Sequence, residues 1–535
     1  MSKFSKQEAK RYVQTFPDTD VEDLVNFVVE DHKPHRSNLP RFKRRARFIL
    51  REAKLELEGP EVQGTIEAPE EQRAWAEGHT FVFTSAQANT HLNENFWLSL
   101  MALVEDRQAS LHISRFTYDK SSYGKKSVKP GSHKQEDNAD IWFDSRIDPY
   151  VSDESTQITD DLVWCGELNI IPTRADPISG FESYGRGSSV IIPHVKMQMK
   201  SVPTMKHEEP LFCYSTGTIT ARNYIEKAAG QKASLHHVYG AILVEVDRHG
   251  NWWARQINAD KDGLIYDLTD CYAPDGQIYR NIPVQAVTNG DLHGNKIDLG
   301  VAECMKSALS VLKPRHQMFH DTVDFQPRNH HNRRDAHFLH QMHCEVSDHV
   351  GTEFEYIANI LRDYFVMPGC QHWIITSNHD QAVENWLRDT TAFFDPVNMQ
   401  DWLEMNLYCA KMREKGKTPR PFWTWLRKYL PNGFVWQVVH EDDNLCINGI
   451  EYGMHGHNGP KGAKGTPNNL RVVGKANTMH THSAGIKDGV YTGGVFGNLD
   501  MGYNRGPSDW SHSFIVTYQN GKRTIITIKE NKAWR

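Results

Sequence analysis

Five apolar runs in the C-terminal half of the chain each break off at residue types that can hold a cation. The first, IPVQAV at 282–287, runs into Asp291 and His293 within GDLHG. HQMF runs into Asp321 and Asp324 within HDTVD, and HWIIT into Asn378, His379 and Asp380. CINGIEYG leads to His455 and His457, and LRVVGKANT to His480 and His482. Any one of these is no more than a turn after a strand, although the turn in GDLHG needs its glycines and not its histidine. Together they constrain the fold. Strands alternating with helices build an α/β sandwich, in which loops at strand C-terminal ends gather on one edge and bring distant side chains together. The gaps between the five stretches leave room for a helix or more.

The rest of the composition is compatible with this. A chain of 535 residues predicts two to four domains. The formal net charge of −6 gives no whole-protein nucleic-acid footprint, although a carboxylate-lined cation site would offset basic surfaces elsewhere. The histidine count of 28 is high, and it concentrates after residue 290. None of the eight cysteines forms a CxxC pair, so buried reduced thiols are expected rather than a zinc ribbon or a disulfide framework. No apolar window is long enough to span a bilayer, and the N-terminus MSKFSKQEAKRYV has no apolar signal core. The expectation is a cytoplasmic protein without membrane contact.

Four segments follow from patterning. Residues 1–57 read as a small helical module resembling a helix-turn-helix, with Arg41, Lys43, Arg44, Arg45 and Arg47 on its last helix. These five are candidate DNA contacts, a solvated charged face being the plainer alternative. Residues 58–160 read as a linker and a βαβ-like unit, GHTFVFTSAQ, LNENFWLSLMALVED and ASLHISRFTYD. Residues 161–281 are strand-rich; Lys196, Lys200, Lys206, Arg222, His236 and His237 fall there and suggest no role beyond surface and turns. Residues 282–535 alternate strand and helix and end in a hairpin around Asn520-Gly521.

The ligand types in the last segment suit one chemistry. Two divalent cations roughly 3.5–4 Å apart can clamp a phosphate ester and stabilise both oxygens of an in-line displacement. A shared carboxylate keeps two cations that close. Neutral imidazoles and an amide oxygen complete the set without excess charge, which favours Mn, Fe or Zn over Ca or Mg.

The order GDLHG, HDTVD, SNHD, MHGH, MHTH resembles the signature of calcineurin-like metallophosphoesterases over about 280–530. The resemblance implies an αββα sandwich there. It implies one cation on Asp291, His293 and His482, a second on Asn378, His455 and His480, and Asp321 as the bridge. His379 would sit by the scissile phosphate as general acid or charge stabiliser, oriented by Asp380 or Asp324, while an activated hydroxide attacks phosphorus. His455 is favoured over His457 because the family's ligand precedes Gly. The family usually has Gly where this chain has His320, Ser377 and Met479, so those loops are expected to differ. His320 reads as an outer hydrogen-bond partner or an extra ligand. His330 and His331 read as surface residues, with substrate contact as the alternative.

Nucleic acid is the favoured ester. Basic residues accompany aromatic ones at Trp252-Trp253 with Arg255 and in KTPRPFWTWLRKYLP at 417–431, the combination that holds single strands. The arrangement of the whole chain also resembles large metallophosphoesterases encoded by bacteriophages, which implies a metal-dependent DNase degrading host DNA in an infected bacterial cytoplasm. A nucleotide or protein phosphatase is the alternative enzyme, and a non-catalytic scaffold that takes over host functions is the alternative class. Homo-oligomerisation and binding to host or phage proteins stay open.

Overall fold

A computed structural model describes residues 6–17, 19–33, 43, 46, 50, 53, 78–118, 141–205, 208–329, 332–345, 348–441, 443–502 and 504–535. The described residues form a mixed α/β structure with four sheets. The sheet that carries most of the candidate site has six strands, in the order Val435–Val439, Gln371–Ile375, His316–Phe319, Ala286–Thr288, Ser513–Thr517, Arg523–Thr527. The first four run parallel and the last two close the edge as an antiparallel hairpin. Side-chain alternation explains why this sheet is buried on both faces. Val287, Phe319, Ile374 and Val516 point to a core shared with the helices Leu299–Leu312, Val350–Ile360, Ala382–Leu387 and Pro421–Tyr429. Their neighbours Ala286, Met318 and Ile375 point the other way, onto Leu445, Ile450 and Tyr452.

Those three partners introduce a ten-stranded sheet. Its order is Cys446–Ile447, Ile450–Glu451, Ala476–Thr478, Val490–Thr492, Gly485–Lys487, His194–Val202, Leu211–Gly217, Ser189–Ile192, Leu162–Cys165, Ser155–Thr159. Half of it comes from the strand-rich middle of the chain and half from the C-terminal segment, joined where Gly485 and Ile486 pair with Lys200 and Met199. The four-stranded sheet likewise joins His79–Gln87 and Ser110–Phe116 to Gly240–Val246 and Trp252–Asn258. The expected boundaries at 160 and 281 therefore fall inside shared sheets. Strand pairing across more than 280 residues leaves no mark on local patterning.

The unit expected over 78–119 forms strand, helix, strand: His79–Gln87 and Ser110–Phe116 pair in parallel, with helix Glu94–Asp106 between them. Asn93 caps that helix by accepting from the Phe96 amide, 2.9 Å. Near the N-terminus, helices Lys6–Thr15 and Val21–His32 bury Ala9, Val13, Leu24, Val25 and Val28 against Ala46, Leu50 and Ala53. Six of the cysteines are buried and all are free; Cys344 and Cys446 are exposed. No helix among the described residues is long and apolar enough to cross a membrane.

One reading of the aromatic residues is corrected here. Trp252, Trp253 and Arg255 are wholly buried, because the strand that carries them lies between its own sheet and the hairpin strand Arg523–Thr527. Trp252 donates to Asp161, Trp253 to the Lys532 carbonyl, and Arg255 is clamped by Asp267 and Glu245 at 2.5–3.0 Å. Nothing is left over to stack on a base. Of the middle-segment residues, Lys196 is also buried, its ammonium 2.7 Å from Asp488.

His112, packed against Phe81 and Phe83, is pushed down from 6.5 to about 4 by burial and then by His79. Its unfolded form binds the proton more readily. The stability this contributes is present above pH 6.5 and lost as pH falls toward 4, at about 1.4 kcal/mol for each pH unit crossed in that window. His112→Phe is expected to flatten that part of the profile, measured as melting temperature against pH. An unchanged acid slope would refute the assignment.

Candidate metal centre

Three of the four parallel strands of the six-stranded sheet deliver ligands from their C-terminal ends. The loop after Ala286–Thr288 carries Asp291 and His293, the loop after His316–Phe319 carries Asp321 and Asp324, and the loop after Gln371–Ile375 carries Asn378, His379 and Asp380. The ten-stranded sheet supplies His455 after Ile450–Glu451, and His480 and His482 after Ala476–Thr478. Main-chain bonds lock these loops together. The His293 amide donates to the Asp321 carbonyl at 2.8 Å, the Met479 amide to the His455 carbonyl at 2.7 Å, and the His480 amide to Asp291 Oδ2 at 2.8 Å.

Seven of the candidate side chains lie close together. Ligand atoms of Asp291, His293, Asp321 and His482 lie within 4.8 Å of one another. His293 Nε2 faces His482 Nε2 at 2.9 Å, and His482 Nε2 lies 3.3 Å from Asp291 Oδ2. Beside them, His455 Nε2 sits 3.0 Å from Asn378 Oδ1, with the His480 ring 5.1 Å from the His455 ring. Asp321 stands between the two groups. Its Oδ2 is 3.5 Å from His293 Nε2 and its Oδ1 is 3.5 Å from His455 Nε2.

The electrostatics of this cluster favour a cation. Both oxygens of Asp321 and Oδ1 of Asp291 are buried without a hydrogen-bond partner, an arrangement that otherwise carries the full cost of desolvation. Burial and the charge of Asp321 push Asp291 well above the usual carboxylate range. For Asp321 burial acts upward too, but the surrounding histidines, protonated His379 among them, outweigh it and hold it well below that range. Burial lowers His480 and His482 to about 4 and keeps His455 neutral as well. Unprotonated imidazoles grouped around a carboxylate with bare oxygens are the donor set of a transition-metal site.

The backbone carries strain at the same place. His293, Asp321, His480 and His482 all have left-handed φ, between 42° and 75°, a conformation that side chains with a Cβ adopt only when their surroundings enforce it. His320, Ser377 and Met479, which stand where glycine was expected, keep ordinary φ, so these positions need no glycine in this chain. Gly456 does need to be one. Its φ is 120°, and a Cβ there would meet the Met479 carbonyl at 3.0 Å.

His379 projects over the centre and remains partly exposed. Its Nδ1 is 2.7 Å from Asp324 Oδ1. Burial acts downward on it, but Asp321 and Asp324 together raise it to about 10, so it is protonated at neutral pH. Of the two acids proposed to orient it, Asp324 does so. Asp380 is corrected: it turns away, accepting from the Val323 amide at 3.2 Å and the Ser377 amide at 3.1 Å, and so ties two ligand loops together. Burial, then Asp321, raises Asp380 to about 8. His320 is an outer partner, its Nδ1 3.4 Å from His455 Nδ1, and His457 turns outward to Glu441 at 3.2 Å.

One residue escaped the sequence reading. Glu353, buried in helix Val350–Ile360, accepts from the amides of Asp324, Phe325 and Gln326 at 2.6, 2.7 and 3.1 Å and fixes the loop that holds Asp324. Gly294 makes room for it, since a Cβ there would lie 2.5 Å from Glu353 Oε1. Of the basic residues proposed for DNA, Lys43 donates to Asn26 at 3.3 Å. Arg41, Arg44, Arg45 and Arg47, like His330 and His331, lie outside the described residues.

Comparison with known proteins places the chain. It is 36% identical over 497 residues to "Protein A1" of Escherichia phage T5, covering 89% of this chain and 86% of that protein. The chain belongs to the phage A1 protein family. No family profile matches it, and no solved structure matches it. For this A1 family member, the buried Asp/His cluster is a place where a metal ion could be held.

Removing a charge from the bridge is expected to separate the roles of Asp321. In chelator, Asp321→Asn removes a charge that the folded protein stabilises, since the neighbouring histidines hold Asp321 well below the usual carboxylate range, and the melting temperature is expected to be equal or lower. With Mn(II) added, the wild-type protein gains stability by ligand linkage and the variant does not. Scanning fluorimetry with metal analysis on the same samples decides it. A variant that retains wild-type Mn content would refute the bridging role.

Proposed function

We propose that this protein is a metal-dependent phosphodiesterase acting on DNA, a calcineurin-like metallophosphoesterase that serves as a phage nuclease degrading host DNA in the bacterial cytoplasm. The observation that carries the reading is Asp321, whose two unpartnered oxygens face two separate histidine-bearing groups. That is the arrangement a bridged pair of cations requires. The helix-backed sheet packed on a second sheet, with ligands on loops of both, supports an αββα sandwich in this part of the chain.

The donor set fits Mn, with Fe or Zn as alternatives: Asp291, His293 and His482 would hold one ion, Asn378, His455 and His480 the other, and Asp321 both. Two bound divalent cations would supply Lewis-acid polarisation of the phosphoryl oxygens and a lowered pKa for water. The chain's own contribution is orientation and a proton. His379, kept protonated and aimed by Asp324, is placed to donate to the leaving oxygen or to stabilise the charge on it. Glu353 holds the loop that holds Asp324, and Asp380 keeps the bridging loop in register with the loop of Asn378. DNA as the ester is favoured by the basic residues of the stretch at 417–431 and by the likeness of the chain to a phage protein.

The test is hydrolysis with Mn(II) of plasmid, linear duplex, single strand, mononucleotide and a small aryl phosphodiester. Cleavage of polynucleotide is expected, with Asp321→Ala abolishing it and His379→Asn lowering kcat by about 10²–10⁴-fold while metal content is retained. Brisk turnover of monoesters alone would replace the nuclease reading with a phosphatase. Survival of every function in Asp321→Ala would leave a binding scaffold.

A further inference from the structure

Helix Ala382–Leu387 follows directly on the loop of Asn378 and His379 and leads away from the metal centre. At its far end, with helix Met399–Glu414 and the turn before Pro421–Tyr429, it walls a cleft of about 630 Å³. Glu384, Arg388, Asn406, Arg413, Lys417 and Thr418 line it. Arg420 lies close enough to act on both Glu384 and His440. Arg388, Arg413 and Arg420 thus act on Glu384, with Glu441 as a second carboxylate in reach, and Lys417 stands on the same lining. Among the described residues Arg413, Lys417 and Arg420 have no ion-pair partner, and Arg388 reaches Glu384 only at 4.0 Å.

Scattered surface lysines and arginines need no partner. Four cations around one concavity differ, because their mutual repulsion is focused by the low-dielectric walls and is relieved by a polyanion. The position adds a second argument. His379 and Arg388 are nine residues apart on a segment that is mostly helical, a span of roughly 13 Å at 1.5 Å per residue. That is about the rise of four nucleotides at 3.4 Å each. The same cleft takes its lower rim from Lys417-Thr418-Pro419, the start of the basic and aromatic stretch that reads as nucleic-acid binding in the sequence. Within that stretch Phe422 and Trp425 are buried, Trp423 is half-buried and Tyr429 is exposed; it is Lys417, at its start, that lines the cleft.

We propose that this cleft binds the phosphodiester backbone of DNA as it leaves the metal centre. The proposal rests on the nuclease reading for its ligand, and its test is separable from that reading. Fluorescence anisotropy with a labelled 20-nucleotide DNA, single-stranded and duplex, is read in chelator, so that binding is measured without turnover. Arg413→Glu/Lys417→Glu is expected to weaken binding at least tenfold at 0.1 M salt. It is also expected to reduce the slope of log K against log salt by about 2, since each lost phosphate contact is worth about 0.9. Arg413→Ala/Lys417→Ala, which adds no charge, serves if the reversal impairs folding and should lower the slope similarly. Hydrolysis of the small aryl phosphodiester with Mn(II) should stay within twofold of wild type, since that ester is too short to reach the cleft. Equal DNA affinity and equal salt slope in the variants would overturn the proposal, as would a wild-type protein that does not bind DNA. Absence of all hydrolysis would instead retire the nuclease reading and leave the binding comparison intact.

Discussion

Two buried carboxylates that cannot both be comfortable are the constraint on which the rest of this structure depends. Asp291 and Asp321 share one neighbourhood; the first is driven toward its neutral form by burial and by the second's charge. Carboxylates are seldom buried bare, because several kcal/mol are lost when each leaves water. Yet here three of the four oxygens have no hydrogen-bond partner and the nearest groups are imidazole nitrogens. Protonating the imidazoles would settle the charge, but burial keeps His455, His480 and His482 neutral. A divalent cation would resolve both conflicts at once, turning unsatisfied oxygens and unprotonated nitrogens into ligands. The left-handed φ of four of the residues, and the amides that clamp their loops, are what it takes to hold such a cluster in place.

The same constraint explains how much was legible beforehand. Strand ends that stop at Asp, His and Asn in a fixed order show in sequence because a cation site would need those residue types, and parallel strands dictate that the loops meet. Residues whose task is set by packing do not show. Glu353 looks like any acidic residue in an amphipathic helix, and only the fold brings three loop amides to it. Asp324 and Asp380 were indistinguishable as partners of His379, since both are acids one loop away; geometry separates them. Trp252, Trp253 and Arg255 misled because a buried strand with an internal ion pair has the same composition as a surface that stacks bases.

Sheet membership was legible for hairpins and the βαβ unit and not for the long-range pairings. The ten-stranded sheet is completed by strands from two distant parts of the chain, and its seam is specific. Ser201 donates to the Ala484 carbonyl at 2.7 Å, and Thr204 and Ser508 exchange main-chain bonds at 3.0 and 2.8 Å. No local period encodes such a match.

That seam bears on the centre itself. Met479, next to His480 and His482, packs in a core built from Met197, Met199 and Tyr214 of the middle strands together with Phe83 and Trp252 of the four-stranded sheet. The histidine loop therefore takes its position from residues on either side of it in the fold that are hundreds of positions away in sequence. Local strain in His480 and His482 persists only if that packing over-determines the loop, so the middle of the chain acts as the backing wall of the candidate metal centre. This gives a physical reason why the likeness to the phage protein extends over 497 residues rather than ending with the loops that carry ligands.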